Sequence, residues 1–297
     1  MSQSRAPSTP MSAWATMSVK SCFIVSSLRE DRNDNEGRHP RRPARPAVNI
    51  ILFQAQEISR PLLREDPRAR HILDVLRRKP GESFDVGLID GPRGKAVVDT
   101  VTDAELILSF TWETELPAPE RIALIAGLCR PQTNRRVLRE AAALGVARML
   151  FPRTERGEPT YADSSLWSSG EYERQVLTGV EQAFATSLPD VDFGMDLGQA
   201  ITAAGGQVRI ALDNYEGIKP LPQVVPGHQG SMVLAAGSER GWAPAERDLL
   251  RSEGYQLAGM GPRVLRTETA VIGALAVIKS VSGAWDAGST PDTRQDT

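Results

Sequence analysis

Leu234-Ala235-Ala236-Gly237-Ser238-Glu239-Arg240-Gly241-Trp242-Ala243-Pro244 and Ala258-Gly259-Met260-Gly261-Pro262-Arg263-Val264-Leu265-Arg266-Thr267-Glu268-Thr269-Ala270 share one grammar. Each starts on a short apolar strand, passes through a glycine-containing loop and enters a helix. Pro244 stands in the first turn of its helix, where the missing N–H leaves no bond unmade. In a parallel sheet such loops leave the carboxyl ends of the strands, where ligands lie, and glycine lets a ligand approach the backbone closely. Two such loops close together in sequence suit one adenosine-like ligand held by backbone amides. Either loop taken singly is equally a tight turn between strand and helix.

The same alternation extends upstream. Ile122–Cys129 is a continuous apolar run, as expected of a strand buried on both faces. Asn134–Leu144 follows as a helix ended by Gly145, then Ala147–Phe151 as a strand. Glu171–Ala185 reads as a helix, Val208–Leu212 and Ser231–Ala236 as strands, Ala243–Ser252 as a helix and Gln256–Ala258 as a short strand. Val264–Val281 is a helix apolar on nearly every side and therefore predicted to be buried. Strand-helix alternation of this kind predicts an α/β domain with a parallel sheet, here residues 118–285.

Before the Pro117-Ala118-Pro119 linker the pattern is different. Asn49–Phe53, Ser83–Ile89, Gly94–Thr102 and Glu105–Thr111 are strand-like between turn signals such as Asp90-Gly91-Pro92, with Arg68–Arg78 as a short helix. Residues 48–117 are thus predicted to form a small β-barrel-like domain. Residues 1–47 are rich in Ser, Pro, Arg and Asn without a period that buries a face, so they read as disordered, or as a mis-annotated extension of a chain whose start is Val48. Residues 286–297 read as a disordered tail.

The chain has 297 residues, of which 40% are hydrophobic and 24% charged, enough for about two domains and without an apolar run long enough to span a bilayer. Only Cys22 and Cys129 are present, with three histidines that do not cluster near them, so no disulfide framework and no metal site is expected and a cytoplasmic setting is the default. The net charge of -2 conceals eight Lys/Arg against four Asp/Glu in residues 1–47, which leaves -6 for the rest. A globally basic nucleic-acid binder is excluded, and any nucleic-acid contact has to use a local patch. Seven Lys/Arg lie between Arg60 and Lys79, and Arg121, Arg130, Arg135, Arg136 and Arg139 form a second cluster. Each is either a nucleic-acid footprint or a solvated helix face. Neither glycine loop carries G-x-G-x-x-G or G-x-x-x-x-G-K-[ST], and Ser238 and His228 lie in no nucleophile context.

Gly261–Ala270 resembles the C-terminal signature L-G-x-x-I-L-R-x-E-T-A of the RsmE family, the 16S ribosomal RNA uridine-N3 methyltransferases of the SPOUT superfamily. Gly237–Trp242 is similar to that family's G-P-E-G-G-F loop, with Glu246 at the matching spacing. Glu181-Gln182 followed by Pro189 resembles its E-Q…P, Leu144-Gly145-Val146 its E-L-G-V, Glu155-Arg156 its S-E-R, and His71…Val75-Leu76-Arg77…Gly81 its H-x-x-x-V-L-R-x-x-x-G. The resemblance covers about residues 48–282. It implies a trefoil-knotted methyltransferase domain, a PUA-like RNA-binding N-terminal domain, bound S-adenosyl-L-methionine, a homodimer, and small-subunit 16S rRNA as partner, with no membrane and no metal.

Carried over position by position, the resemblance places the cofactor against Leu234, Ala236, Gly237, Ser238, Gly241, Gly259, Met260, Gly261, Val264 and Leu265, with Thr269 and Ala270 near its adenine or ribose. Arg266 is implied to set positive charge beside the uracil, and Glu268 or Glu239 to help remove its proton. The competing reading pairs Arg266 with Glu268 as a structural brace. Arg68, Arg70, His71, Arg77 and Arg78 are the candidate RNA contacts. The chain departs from the family pattern at Ser238 and Arg240 in the loop, at Glu140 and Ala143 in the helix, and at Ala185 and Ser187, where arginines are usual. A positive φ at Arg240 would cost roughly 1 kcal/mol, and each missing cation removes one potential phosphate contact.

Overall fold

The computed structural model describes residues 49–116, 121–227 and 230–285. The expectations for residues 1–47, for the 117–119 linker, for His228 and for the 286–297 tail lie outside the described residues. Two sheets organise the rest, one in each predicted domain.

The N-terminal sheet has the order β1 (Ile51–Phe53), β3 (Ser83–Leu88), β4 (Arg93–Val101), β5 (Glu105–Trp112), β2 (Leu62–Leu63). The β1–β3 pair is parallel and the others are antiparallel. Alternate residues of β3 and β4, among them Phe84, Val86, Ala96 and Val98, bury against Ile72 and Leu106, as period-2 patterning requires. The predicted helix is present in modified form. Asp66 caps α1 (Pro67–Arg70) by accepting the Arg68 N–H at 2.8 Å, and the chain then widens into a π turn over His71–Val75. Arg77 closes the element in the left-handed region (φ 54°) while Arg78 N–H reaches back to Ile72 O at 3.0 Å.

The C-terminal sheet has seven strands, all parallel, in the order β10 (Lys219–Pro220), β12 (Gln256–Gly259), β9 (Val208–Leu212), β11 (Met232–Ala236), β6 (Ile122–Ala126), β7 (Arg148–Phe151), β8 (Asp190–Phe193). Alternation divides its core in two. Leu124, Ala126, Met149, Phe151, Leu234 and Ile210 pack with Val137 and Leu138 of α2 (Pro131–Ala143), with Val176 and Val180 of α4 (Glu171–Gln182), and with Val271, Leu275 and Ile278 of α8 (Thr267–Val281). Ile125, Leu150, Ala211, Val233 and Ala235 face the opposite way, onto α5 (Leu197–Ala204) and α7 (Pro244–Ser252). Three further short segments, 3-10 turn Pro159–Asp163, α3 (Ser165–Ser168) and α6 (Leu221–Val224), complete the layer.

Element ends differ from the sequence reading where backbone geometry intervenes. The apolar run from Ile122 stops being strand at Ala126, because Gly127 turns against the next loop. The α4 helix ends at Gln182, since Phe184 takes positive φ (56°) and Ala185 N–H returns to Val180 O at 3.1 Å. The α8 helix starts at Thr267 and not at Val264, because Arg266 is extended (φ -66°, ψ 152°). The sequence reading lacks β8, a four-residue edge strand, and α5, whose Asp196/Gln199 capping box (2.8 and 3.1 Å) is nonetheless explicit.

The two sheets meet at the end of α4. Ile50 N–H donates to Glu181 O and Leu52 N–H to Glu181 Oε1 (3.3 and 3.4 Å), while Thr186 Oγ1 donates to Gly91 O at 2.7 Å. A Cβ on Gly87 would lie 2.5 Å from Thr186 Cγ2, so glycine is needed for this approach. Burial pushes the Glu181 carboxyl up to about 7, against the pull of the Leu52 N–H and of Arg68. The E-Q…P segment therefore docks the N-terminal unit.

Candidate functional site

Because every strand of the seven-stranded sheet points the same way, the segments following β6, β9, β11 and β12 emerge on one edge. In the order β12, β9, β11, β6 they are neighbours. The glycines there are contact points between backbones. A Cβ on Gly127 would stand 2.7 Å from Ser238 N and 2.9 Å from Thr154 Cγ2, and one on Gly237 would stand 2.9 Å from Gly241 C. Between β9 and β12, a Cβ on Gly217 would meet Gly259 N at 2.7 Å. Gly241 supplies the positive φ (68°) of the Ser238–Gly241 turn, closed by Gly241 N–H to Ser238 O at 2.8 Å. Arg240 is therefore not the residue in the left-handed region, and the conformational cost expected from it is absent. Gly261, also at positive φ (92°), has open space where its Cβ would be.

Side chains brace this edge. Glu246, buried on α7, accepts the N–H of Ala243 and of Glu155, both at 2.8 Å, which ties the S-E-R segment to the helix after the β11 loop. Trp242 is fully buried and donates its indole N–H to Leu212 O at 3.0 Å. Asn134 is buried and bridges the Cys129 backbone on both sides. The Cys129 thiol donates to Gly127 O at 3.2 Å, and burial and the adjoining Glu239 push its pKa above its ordinary range, against the pull of Thr267, and so favour the protonated thiol. Two hydroxyls in this cradle, Ser238 Oγ and Thr154 Oγ1, are buried without a hydrogen-bond partner among the described residues.

Of the residues singled out in the sequence, Gly237, Ser238 and Gly241 lie in the loop after β11 that meets Gly127, and Gly259 closes β12 against Gly217, with Met260 and Gly261 following it. Met260 packs toward α8, its Cε lying 3.4 Å from where a Gly273 Cβ would be, whereas Val264 is 87% exposed. Leu234 stays inside the sheet, paired with Ile210 and Leu124 on either side, and Ala236 gives its carbonyl to Gly127 N–H at 2.8 Å. Thr269 is exposed and Ala270 half-buried on α8.

The candidate catalytic residues have separate partners. Glu239 is exposed and its Oε1 accepts the Arg130 N–H at 2.8 Å, at the start of α2. Glu268 is buried in the first turn of α8 and takes Arg136 Nη1 at 3.2 Å. Arg266 is exposed, and among the described residues no carboxylate holds its guanidinium. The Arg266–Glu268 brace is thus replaced by Arg136–Glu268.

In the N-terminal unit, Arg68 is held between Glu57 and Asp66 (both 2.8 Å) and lies over the Phe53 ring at 4.8 Å. Burial alone raises the Glu57 carboxyl, but hydrogen bonds from Arg68 and Gln54 N–H outweigh it and hold it below its ordinary value. Arg70 and Arg77 are exposed, while Arg78 and His71 are half-buried, burial lowering the His71 pKa. In the second cluster Arg135 is committed to Glu171 at 2.6 Å and Arg139 to Glu140 at 3.0 Å. The sequence reading missed the turn at Gly127–Cys129, hidden in an apolar run, and the Asp213–Gly217 turn after β9, whose Asp-Asn-x-x-Gly composition is the signal for it. Among the described residues no group of three His, Cys, Asp or Glu is placed to hold a metal ion, and no helix is long and apolar enough to cross a membrane.

Residues 116–279 match the RNA methyltransferase domain family. A ribosomal RNA small subunit methyltransferase E of Treponema pallidum is 32% identical over 80% of this chain and 93% of its own length. A ribosomal RNA small subunit methyltransferase E 1 of Borreliella burgdorferi is 23% identical over 78% of this chain and 98% of its own. In fold, the chain is similar to the ribosomal RNA small subunit methyltransferase E of Neisseria gonorrhoeae solved bound to S-adenosyl methionine, with a TM-score of 0.62 and 22% identity over 78% of this chain and 97% of that one. With its domain matched and its relative covered almost end to end, the chain belongs to the ribosomal RNA small subunit methyltransferase E family.

Proposed function

We propose that this chain transfers a methyl group from S-adenosylmethionine to N3 of a uridine in 16S ribosomal RNA of the small subunit. The reading takes it as a cytoplasmic homodimer with a trefoil knot at the C-terminal end of the parallel-sheet unit and a PUA-like N-terminal unit. The observation that carries the proposal is the backbone cradle at the sheet edge, where Gly127, Gly237, Gly217 and Gly259 allow chain-to-chain contacts that a Cβ would obstruct. Membership of the family supplies the chemistry that the cradle serves.

The residues present fit the cofactor. The Ser238 hydroxyl is buried and has no partner among the described residues, and Gly261 leaves space beside a positive-φ backbone. Backbone groups of Gly237, Ser238, Gly241, Gly259, Met260, Gly261 and Leu265 would hold it, with Thr269 and Ala270 at its adenosine end. Bound S-adenosylmethionine supplies an electrophilic sulfonium methyl.

What the chain itself has to do follows from the substrate. Uridine N3 carries a weakly acidic proton, and negative charge spreads onto the uracil carbonyls as that proton leaves. Arg266, exposed at the loop end and unclaimed by any described carboxylate, stabilises this charge. Glu239 is the exposed carboxylate of the pair and accepts the proton, while the buried Glu268 holds Arg136 in place. Fixing the base against the loops contributes the remainder through orientation, and an N3 buried in a duplex has to be unpaired or flipped out first.

A second reading, a different RNA target, is favoured by one observation. Glu140 stands where the family pattern has lysine and is paired with Arg139, so that position carries an acid in place of a cation. Incubation of the purified protein with methyl-labelled cofactor and a 16S transcript, followed by digestion, separates the readings. Label in 3-methyluridine supports the first, label only in transcripts of other RNAs supports the second, and no label on any RNA rejects both.

A further inference from the structure

Tyr215 occupies a position that the chemistry above does not use. It lies in the turn after β9, and β9 sits between β11 and β12, so this turn is flanked by the two glycine loops of the cradle. Its ring Cε2 is 3.8 Å from where a Gly241 Cβ would be, which places it on the lip of the Ser238–Gly241 turn. Yet the residue is 76% exposed, a large amphipathic ring offered to solvent at the mouth of the site.

That exposure is held rigidly. Asp213, buried at the end of β9, accepts the N–H of Tyr215 at 2.7 Å and of Glu216 at 2.6 Å through Oδ1, while Oδ2 takes Arg247 Nε at 2.6 Å. The Arg247 guanidinium, itself buried, lies over the Tyr215 ring at 5.3 Å from its centre. Glu216 continues the network to Arg247 at 3.7 Å and to Arg251. A buried ion pair thus backs the ring from the protein side. A mobile surface tyrosine needs no such backing, but a stacking platform does, because fixing the ring beforehand removes the ordering cost from binding.

We infer that Tyr215 is a positioning residue that stacks against an unpaired base of the substrate RNA at the entrance to the methyl-transfer site. The inference rests on the reading of the chain as a methyltransferase of RNA. A planar base suits the exposed aromatic ring, and stacking tolerates any base identity, so Tyr215 would hold the strand without selecting the base. The degree of exposure separates this role from cofactor binding. A ring that closed over the cofactor would be sunk among the loops, whereas this one stands outside them.

The test compares Tyr215→Ala and Tyr215→Trp with the wild-type chain. Kd for S-adenosylmethionine, Kd for a fluorescein-labelled single-stranded oligouridine by anisotropy, KM and kcat on a 16S transcript, and oligomeric state are all measured. Tyr215→Ala should weaken oligouridine binding and raise KM about tenfold, as expected for one lost stacked base. Tyr215→Trp should stay near wild type, and cofactor Kd and oligomeric state should not move. Unchanged RNA binding in Tyr215→Ala overturns the inference, as does an equal loss of cofactor affinity, or dissociation of an oligomer showing that a second copy covers the ring. If the wild-type chain binds oligouridine through Tyr215 but methylates no RNA, the methyltransferase reading fails and takes the substrate role of Tyr215 with it, while the stacking of Tyr215 on an unpaired base stands.

Discussion

Replacing Glu181 by glutamine isolates the electrostatics of the junction between the two sheets. The carboxyl is buried, receives the Leu52 N–H at 3.4 Å, and is raised by burial from 4.5 to about 7. A raised carboxyl pKa means that the folded chain binds the proton more tightly than the unfolded one. The stability from the protonated form is therefore complete below about pH 4.5 and is lost as the pH climbs through about 7. A difference of about 2.5 pH units corresponds to about 3 kcal/mol. Glutamine keeps an oxygen for the Leu52 N–H and never ionises, so Glu181→Gln should be about 3 kcal/mol more stable than wild type at pH 8 and nearly equal to it at pH 4.5. Urea unfolding at half-unit steps between these limits reads this as a difference curve. Subtraction removes carboxylates of the opposite sense, such as Glu57 and Glu171, which are lowered and destabilise on acidification. A difference curve that is flat, or that falls with rising pH, would refute the reasoning.

Three other perturbations address the site. Gly127→Ala places a methyl 2.7 Å from Ser238 N, a clash with fixed backbone, and should destabilise the chain by about 1 to 3 kcal/mol and abolish calorimetric binding of S-adenosylmethionine; wild-type affinity in this variant would mean that the two loops are not the cradle. Glu246→Ala orphans the buried N–H of Ala243 and frees the part-buried N–H of Glu155, and should cost about 1 to 3 kcal/mol in denaturant unfolding, with Glu246→Gln recovering part of it; a loss below 1 kcal/mol would show that other acceptors take over. Arg266→Ala should retain cofactor affinity and lower kcat on RNA about a hundredfold, an amount typical of removing one charge-stabilising donor; turnover equal to wild type would reject its assigned role.

The parallel sheet was legible because its strands are buried on both faces. Ile122–Ala126 and Met232–Ala236 are apolar at every position and each is followed by a helix, and Val208–Leu212 breaks the pattern only at Arg209. The β8–α5 pair escaped because four residues with two aspartates and a helix of two turns carry too little periodicity. At the site, Gly237, Gly241, Gly259 and Gly261 announced themselves as punctuation. Gly127 did not, since a glycine inside the run Ile122–Cys129 looks like part of a strand until the opposing Ser238 backbone is known. The partners of charged residues were equally out of reach. That Glu268 meets Arg136, 132 positions away, and not the nearby Arg266, is a property of how α2 and α8 pack. Likewise, the basic count around Arg68 gave no hint that Glu57 and Asp66 claim this guanidinium while Arg70 and Arg77 remain exposed.

The central claim is that this chain makes 3-methyluridine in small-subunit ribosomal RNA. Nucleoside mass spectrometry of 16S RNA from a strain lacking the gene, and from the same strain complemented with wild type or with Arg266→Ala, addresses it directly. The account predicts that 3-methyluridine disappears on deletion, returns with the wild-type gene and stays low with the variant. An unchanged 3-methyluridine level in the deletion strain would contradict it.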